Sequence, residues 1–458
     1  MKFFLTMLIL VLTSGLLHAE PIPIRGVVEG FYGDPWTHEN RLDILEFSSA
    51  RGFNAYIYAP KDDPYHRNLW REKYPAEKLA ELKSLVEKAR ECNIDLIFAV
   101  SPGLDLHFDG RDAEKDRKAM LKKLSTMYKI GFTHFAIFFD DIQEKNPTGQ
   151  AEFLNWLQKN FVEKHSDIRQ LITVPTEYFR PDMHEYTTEF SSQLDQKIMV
   201  LYTGEAVVGP ALSDEDFQTA RKIYPQLGIW WNYPVNDYIE SKLALGAVEN
   251  LPRESKIPAI FFNPMKYPQF SKISLATAAD YSIDPENYSP MDSWNRALED
   301  QFGFLSDSMK IFADHSQHLE NSWANCGAED GQRFKTLTDQ ILNDIDSEKN
   351  LDESFSNAFS EVEKMITATR NLQRYLPKKY LDECSPQLEQ FRRIAEADRL
   401  ALELLRSYSH GNKKLVRFYS NELQIKFRDV ENHESTAMIS EKSAVEFIRR
   451  VIDFSDQL

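Results

Sequence analysis

Cysteine is scarce: three residues in a chain of 458 are too few for a disulfide-built scaffold, so stability has to come from buried apolar surface. Positive charge is also short. Seventy-one acidic residues stand against 54 basic ones, a formal net charge of −17. That balance removes nucleic acid as the main partner, because phosphate binding needs a basic surface. Apolar runs long enough to cross a bilayer are absent beyond the opening segment. No HExxH motif or spaced His/Asp ligand set suggests a metal. A Gly-rich phosphate loop is missing too; GVVEGFYG (26–33) comes nearest, and its spacing is wrong.

The opening segment, MKFFLTMLILVLTSGLLHAE, reads as a secretory signal spanning residues 1–19. Lys2 gives the positive start, Phe3 to Leu12 the apolar stretch and Ala19 the small residue before cleavage. Thr13, Ser14 and Gly15 interrupt the stretch and argue against a membrane anchor. The mature chain is therefore expected to be exported, periplasmic or secreted if the source is bacterial, without stable membrane insertion. In that setting Cys326 and Cys384 could pair, whereas Cys92 falls on a predicted amphipathic helix and reads as core.

Length alone asks for more than one core. From Ile24 to Pro264, short apolar runs alternate with amphipathic segments. The runs are 24–30, 53–60, 95–103, 134–141, 170–178, 197–204, 227–234 and 257–264. Continuous runs rich in Ile, Val and Phe suit strands buried on both faces. Between them, Ala76 to Cys92 carries Leu79, Leu82, Leu85, Val86 and Ala89 at helical spacing. Eight strands alternating with helices have the rhythm of a (β/α)8 TIM barrel, predicted over residues 20–285; an open doubly wound sheet would want the missing phosphate loop. After Pro285 strand-like runs become rare, and segments such as Leu388 to Ser407 predict an all-α helical bundle over 286–458.

Barrels of this kind place their sites at the C-terminal strand ends. Those ends carry Glu29, Tyr32, Lys61, Asp62, Asp63, Asp140, Asp141, Glu177, Tyr178, Asn232, Asp237 and Asn263. Amides and carboxylates that bind hydroxyls, with aromatic faces for a pyranose ring, suit a carbohydrate. The sharpest feature is FFDDI (138–142). Two carboxylates in one dry site should split their pKa values, leaving one protonated as a general acid; alternatively, Asp-Asp merely caps the next helix. Adjacent residues approach from one side, which disagrees with the two-sided carboxylate geometry of ordinary glycosidases. The difficulty disappears if the substrate supplies its own nucleophile, a 2-acetamido oxygen.

The motifs GVVEGFYGDPW (26–36), YAPKDDPYHR (58–67), SPGLDL (101–106), FFDDI (138–142), PTEY (175–178), YTG (202–204), WWNYPVNDY (230–238) and NPM (263–265) together resemble glycoside hydrolase family 84. That family holds bacterial β-N-acetylglucosaminidases, some labelled hyaluronidases, and eukaryotic O-GlcNAc hydrolases. The resemblance implies a retaining, exo-acting hydrolase of terminal β-linked GlcNAc on a glycan or glycoprotein, working through an oxazoline with no metal or organic cofactor. It assigns Asp140 to orient the acetamido nitrogen and Asp141 to serve as acid and base. Tyr178 would position the acetamido group, and Trp230 would wall its pocket. Gly26 (through its backbone), Lys61, Asn232, Asp237 and Asn263 would hold the sugar. Asp34 and Trp231 depart from relatives and bear on the aglycone. The competing readings are an endo-acting hyaluronidase-like enzyme, a non-catalytic glycan-binding protein, and a chitinase-type barrel, whose DxxDxDxE pattern is absent.

Overall fold

The computed structural model describes residues 20–347 and 349–458, so the expected signal segment lies outside it. Eight parallel strands close a barrel in chain order: β1 (Ile24–Glu29), β2 (Ala55–Tyr58), β3 (Asp95–Val100), β4 (His134–Phe138), β5 (Ile172–Val174), β6 (Met199–Tyr202), β7 (Leu227–Trp231) and β8 (Ala259–Phe262). The TIM-barrel expectation holds. Strand β2 shows why its run looked uniformly apolar: Ala55 and Ile57 fill the barrel, while Tyr56 and Tyr58 pack outward under the helices.

Helices α1 (His38–Ala50), α2 (Ala76–Glu91), α3 (Gly110–Ile130), α4 (Pro147–Asn160), α5 (Glu185–Gln193) and α6 (Asp214–Ile223) fill the first six crossovers, and α7 (Pro268–Ile283) follows β8. In α2 the predicted stripe is buried through Leu82, Leu85, Val86 and Ala89. The expected alternation fails once. Among the described residues, the connection from β7 to β8 (232–258) contains no helix. Tertiary hydrogen bonds replace helical ones there: Gly246 N donates to the Tyr233 hydroxyl at 2.9 Å and Leu245 N to Ser316 O at 2.7 Å. A connection this long without a helix or strand of its own is typical of functional loops.

Beyond α7 come α8 (Pro290–Phe302) and α9 (Ser306–Asp314), then a small hairpin of β9 (Leu319–Glu320) and β10 (Asn325–Cys326). The chain ends in α10 (Gln332–Asp344), α11 (Asp352–Tyr375), α12 (Lys378–Ser409), α13 (Lys413–Glu434) and α14 (Glu446–Ser455). The predicted helix Leu388 to Ser407 lies inside α12, whose Leu388, Phe391, Ile394, Leu402 and Leu405 form the bundle core. Glu383 of α12 accepts the backbone N–H groups of Gln269 and Phe270 at the start of α7, both at 3.0 Å, fastening bundle to barrel.

The possible Cys326–Cys384 pair is not formed. Both residues are buried free thiols, one on β10 and one within α12, and Cys92 is a half-buried free thiol. Among the described residues, no helix is long and apolar enough to cross a membrane.

Candidate active site

Strand β4 ends at Phe138, and the chain turns at the two aspartates. In a strand, successive side chains point to opposite faces, so Asp140 and Asp141 would diverge if β4 simply continued. Asp141 instead has φ +55°, in the left-handed region that aspartate tolerates better than most residues. Both side chains line one cavity of about 350 Å³ at the barrel mouth, within the size class of small-molecule sites.

Lys61, on the loop after β2, is buried between the two acids. Its ammonium pairs with Asp140 Oδ2 and stands 3.9 Å from Asp141 Oδ2. Among the described residues, none donates a hydrogen bond to the buried Asp140 Oδ1, which leaves that oxygen available to a donor from outside the protein. Asp141 is fully engaged: the Tyr178 hydroxyl donates to Oδ1 and the Tyr32 hydroxyl to Oδ2, both at 2.8 Å. Burial works to raise the Asp141 pKa, but the Lys61 charge, the Tyr178 and Tyr32 hydroxyls and Arg67 outweigh it and hold the carboxyl below the ordinary aspartate value. The expected split of the pair is therefore not reached by raising Asp141. Lysine between the acids offsets the repulsion on which that expectation rested.

Across the cavity, amides form a chain. Asn232 Oδ1 accepts from Trp230 Nε1 at 2.8 Å and from Asn263 Nδ2 at 3.0 Å, while Asn263 Oδ1 accepts from Gly30 N at 3.2 Å. Asn232 Nδ2 donates to Val207 O at 2.9 Å. These bonds fix which face of each amide meets a ligand. Trp230 is buried with its ring edge-on to Phe138, and with Val174 and Val207 it makes the apolar side of the cavity. Asp237, whose carboxyl burial pushes up, accepts from Tyr32 N at 2.8 Å.

Of the sequence-predicted residues, Lys61, Asp140, Asp141, Tyr178, Trp230, Asn232, Asp237 and Asn263 meet in this cavity. Gly26 does not. It sits deep in β1, about 13 Å below Gly30 at the usual rise per residue. There it pairs with Ala55 and Phe261, and a Cβ would lie 1.8 Å from the Ala55 carbonyl oxygen. Gly30 lines the cavity instead, and a Cβ there would meet the Trp230 ring at 2.3 Å. Two other strand-end acids face away from the chemistry. Glu29 is enclosed by Arg41 and Tyr56, and Asp63 by Tyr58 and Tyr74.

Two aromatic groups carry more of the site than their local sequence suggested. Tyr32 was legible as a strand-end residue, but not as a partner of Asp141. Trp323 comes from the hairpin after the barrel, lines the cavity while 53% exposed, and packs on Tyr238 with centroids 5.0 Å apart. Nothing in NSWANC (321–326) signalled that reach. Among the described residues, no three His, Cys, Asp or Glu side chains are grouped as metal ligands.

Residues 25–314 match the family model described as beta-N-acetylglucosaminidase, and residues 333–448 match that of a hyaluronidase post-catalytic domain-like unit. Curated relatives include the Protein O-GlcNAcase of Mus musculus and that of Rattus norvegicus, each 32% identical over 255 residues. That alignment covers 52% of this chain and only 28% of either relative. Among solved structures, that of CpGH84B is 36% identical with a TM-score of 0.90, covering 94% of this chain and 77% of that one. The Thermobaculum terrenum O-GlcNAc hydrolase is 28% identical with a TM-score of 0.85, covering 94% of both chains.

Proposed function

The chain belongs to the beta-N-acetylglucosaminidase family, and from that premise we propose that it is an exo-acting, retaining hydrolase of terminal β-linked N-acetylglucosamine that uses the substrate's acetamido group as nucleophile. One observation carries the reading. Asp140 presents a buried, unpartnered Oδ1 beside an Oδ2 neutralised by Lys61. Such an oxygen wants one N–H donor, and a 2-acetamido group has one.

The steps follow from the groups present. Asp140 accepts the acetamido N–H, which aligns the acetamido oxygen with C1 and stabilises positive charge as that oxygen attacks. The bond from C1 to the leaving oxygen breaks, Asp141 gives that oxygen a proton, and an oxazoline remains. Asp141 then takes a proton from water as the water opens the oxazoline, so the product keeps its anomeric configuration. Before substrate binds, two tyrosine hydroxyls and Lys61 favour the Asp141 anion. A leaving-group oxygen that displaces a hydroxyl moves the carboxyl back up, so that on binding it takes from solvent the proton the first step needs. Trp230, Val174 and Val207 offer the acetamido methyl an apolar wall, while Asn232, Asn263 and Asp237 face the hydroxyls.

A cavity of about 350 Å³ is at the small end of ligand sites, which favours one terminal sugar over a run of polymer. The glycan or glycoprotein bearing that sugar is read as a partner outside the cytoplasm, on the strength of the opening segment. The test is turnover of aryl N-acetylglucosaminide, O-GlcNAc peptide and hyaluronan by the purified chain. Replacing N-acetyl with N-trifluoroacetyl should slow hydrolysis steeply. Equal rates would overturn the assisted mechanism, cleavage of hyaluronan alone would favour the endo-acting reading, and binding without turnover would leave a glycan-binding protein.

A further inference from the structure

Asp141 is gripped from behind as well as from the cavity. Arg67 Nη1 donates to the Tyr32 hydroxyl at 2.8 Å, that hydroxyl donates to Asp141 Oδ2 at 2.8 Å, and Arg67 Nη2 donates to the Asp141 carbonyl oxygen at 3.0 Å. The bonds close a ring that holds both the side chain and the backbone of one residue. That residue is the one at φ +55°, a conformation side chains seldom adopt unless their surroundings enforce it. Arg67 is not among the residues that line the cavity, and it meets Asp141 through the Tyr32 hydroxyl and the Asp141 carbonyl.

The clamp has a rigid mount. His66 is fully buried, and burial lowers its pKa to about 4, so the ring is neutral and its Nδ1 donates to Ala99 O at 2.8 Å. Ser101 N donates to His66 O at 2.9 Å, which sews the loop carrying Arg67 to the end of β3. Tyr32 is held just as firmly. Its N–H is bonded to Asp237, and its ring lies 5.5 Å from the Arg67 guanidinium and 5.7 Å from the Lys61 ammonium.

We propose that Arg67 is a positioning residue for the reaction, one that sets the conformation and charge of Asp141 through the Tyr32 hydroxyl and the Asp141 carbonyl. A guanidinium suits the task because its planar fork satisfies two acceptors at once, which an ammonium does not do in fixed geometry. By polarising the Tyr32 hydroxyl it strengthens the donor on Oδ2, and by holding the carbonyl it keeps both carboxylates on one side of the substrate.

This inference rests on Asp141 acting as acid and base, so its test needs one readout independent of turnover. Arg67→Met and Arg67→Lys are compared with the parent protein by kcat and KM on an alkyl and a dinitrophenyl N-acetylglucosaminide. The Asp141 carboxyl is titrated by NMR in the same proteins. Arg67→Met should lower kcat on the alkyl glycoside about 10- to 100-fold, with KM little changed and a smaller loss on the dinitrophenyl glycoside. The Asp141 titration should move to higher pH, and Arg67→Lys should fall between. An unmoved titration, or a rise in KM with kcat unchanged, overturns the clamp. A moved titration in a protein whose parent hydrolyses neither glycoside supports the clamp and counts against the hydrolase reading.

Discussion

Lys61 and Asp140 form an ion pair almost out of reach of water, the ammonium side chain 2% and the carboxylate 8% exposed. Taking either charge out of water alone is expensive, and breaking such a pair from one side costs about 3–5 kcal/mol. Lys61→Met should therefore lower the melting temperature measurably and also disable catalysis, since Asp140 would lose the buried cation that balances its charge and holds its carboxylate in place. Asp140→Asn should lose activity with a smaller loss of stability, because Asn keeps an acceptor oxygen for Lys61 and Asp141 still stands 3.9 Å from that ammonium. Calorimetry and kcat/KM on both variants check this; a fully active Lys61→Met protein would contradict the pairing's role.

The two aspartates should separate by leaving group. Asp141→Ala is expected to lose about 10²–10⁴-fold in turnover of alkyl glycosides, the usual worth of a positioned acid, and much less with dinitrophenol, which departs without a proton. Asp140→Asn should slow both substrates alike, because acetamido participation precedes either departure. Parallel kinetics on the two substrates decide the assignment. Identical substrate dependence in the two variants would mean that the roles are not divided as stated.

Gly26 within β1 and Gly30 just past its end give a contrast between stability and activity. A methyl at Gly26 would press on the backbone oxygen of Ala55 at 1.8 Å, where nothing flexible can yield. Gly26→Ala should cost at least the about 1–3 kcal/mol of an overpacked core and reduce soluble yield. At Gly30 the obstacle is the Trp230 ring at 2.3 Å. Gly30→Ala should fold, displace Trp230, break its bond to Asn232 and lose turnover. Melting curves read beside kinetics separate the two effects.

That contrast also explains what the sequence could and could not convey. The barrel was legible because strands such as β2 are apolar on both faces, and Asp140, Asp141, Lys61 and the two asparagines were legible because strand ends converge in this fold. Gly26 in β1 and Gly30 one residue past its end fall on the same face by the period-two rule, so only depth distinguishes them, and pattern carries no depth. The long β7–β8 connection is held by partners such as Ser316 and the Gln317 carbonyl, contacts that leave no local periodicity. Trp323 reaches the cavity from a hairpin far along the chain, and the left-handed turn at Asp141 is enforced by Arg67 from another loop. Tertiary contacts made each of these, and no window of residues encodes them.

Glu383 makes the joint between bundle and barrel sensitive to pH. Burial, opposed by the N–H groups of Gln269 and Phe270 and by Lys272 and Lys379, pushes its carboxyl up from 4.5 to about 7. A group with a raised folded pKa holds an extra proton in the native state between those two values, so stability falls as pH rises through that window and levels off above it. Its contribution is fully present below about pH 4.5 and lost above about 7. Glu383→Gln keeps an acceptor oxygen for the two N–H groups and cannot ionise. The variant should show a flatter melting temperature between pH 5 and pH 8 than the parent, by a few degrees for a difference of about 1–2 kcal/mol in a chain of this size. Parallel slopes in the two proteins would place the proton elsewhere.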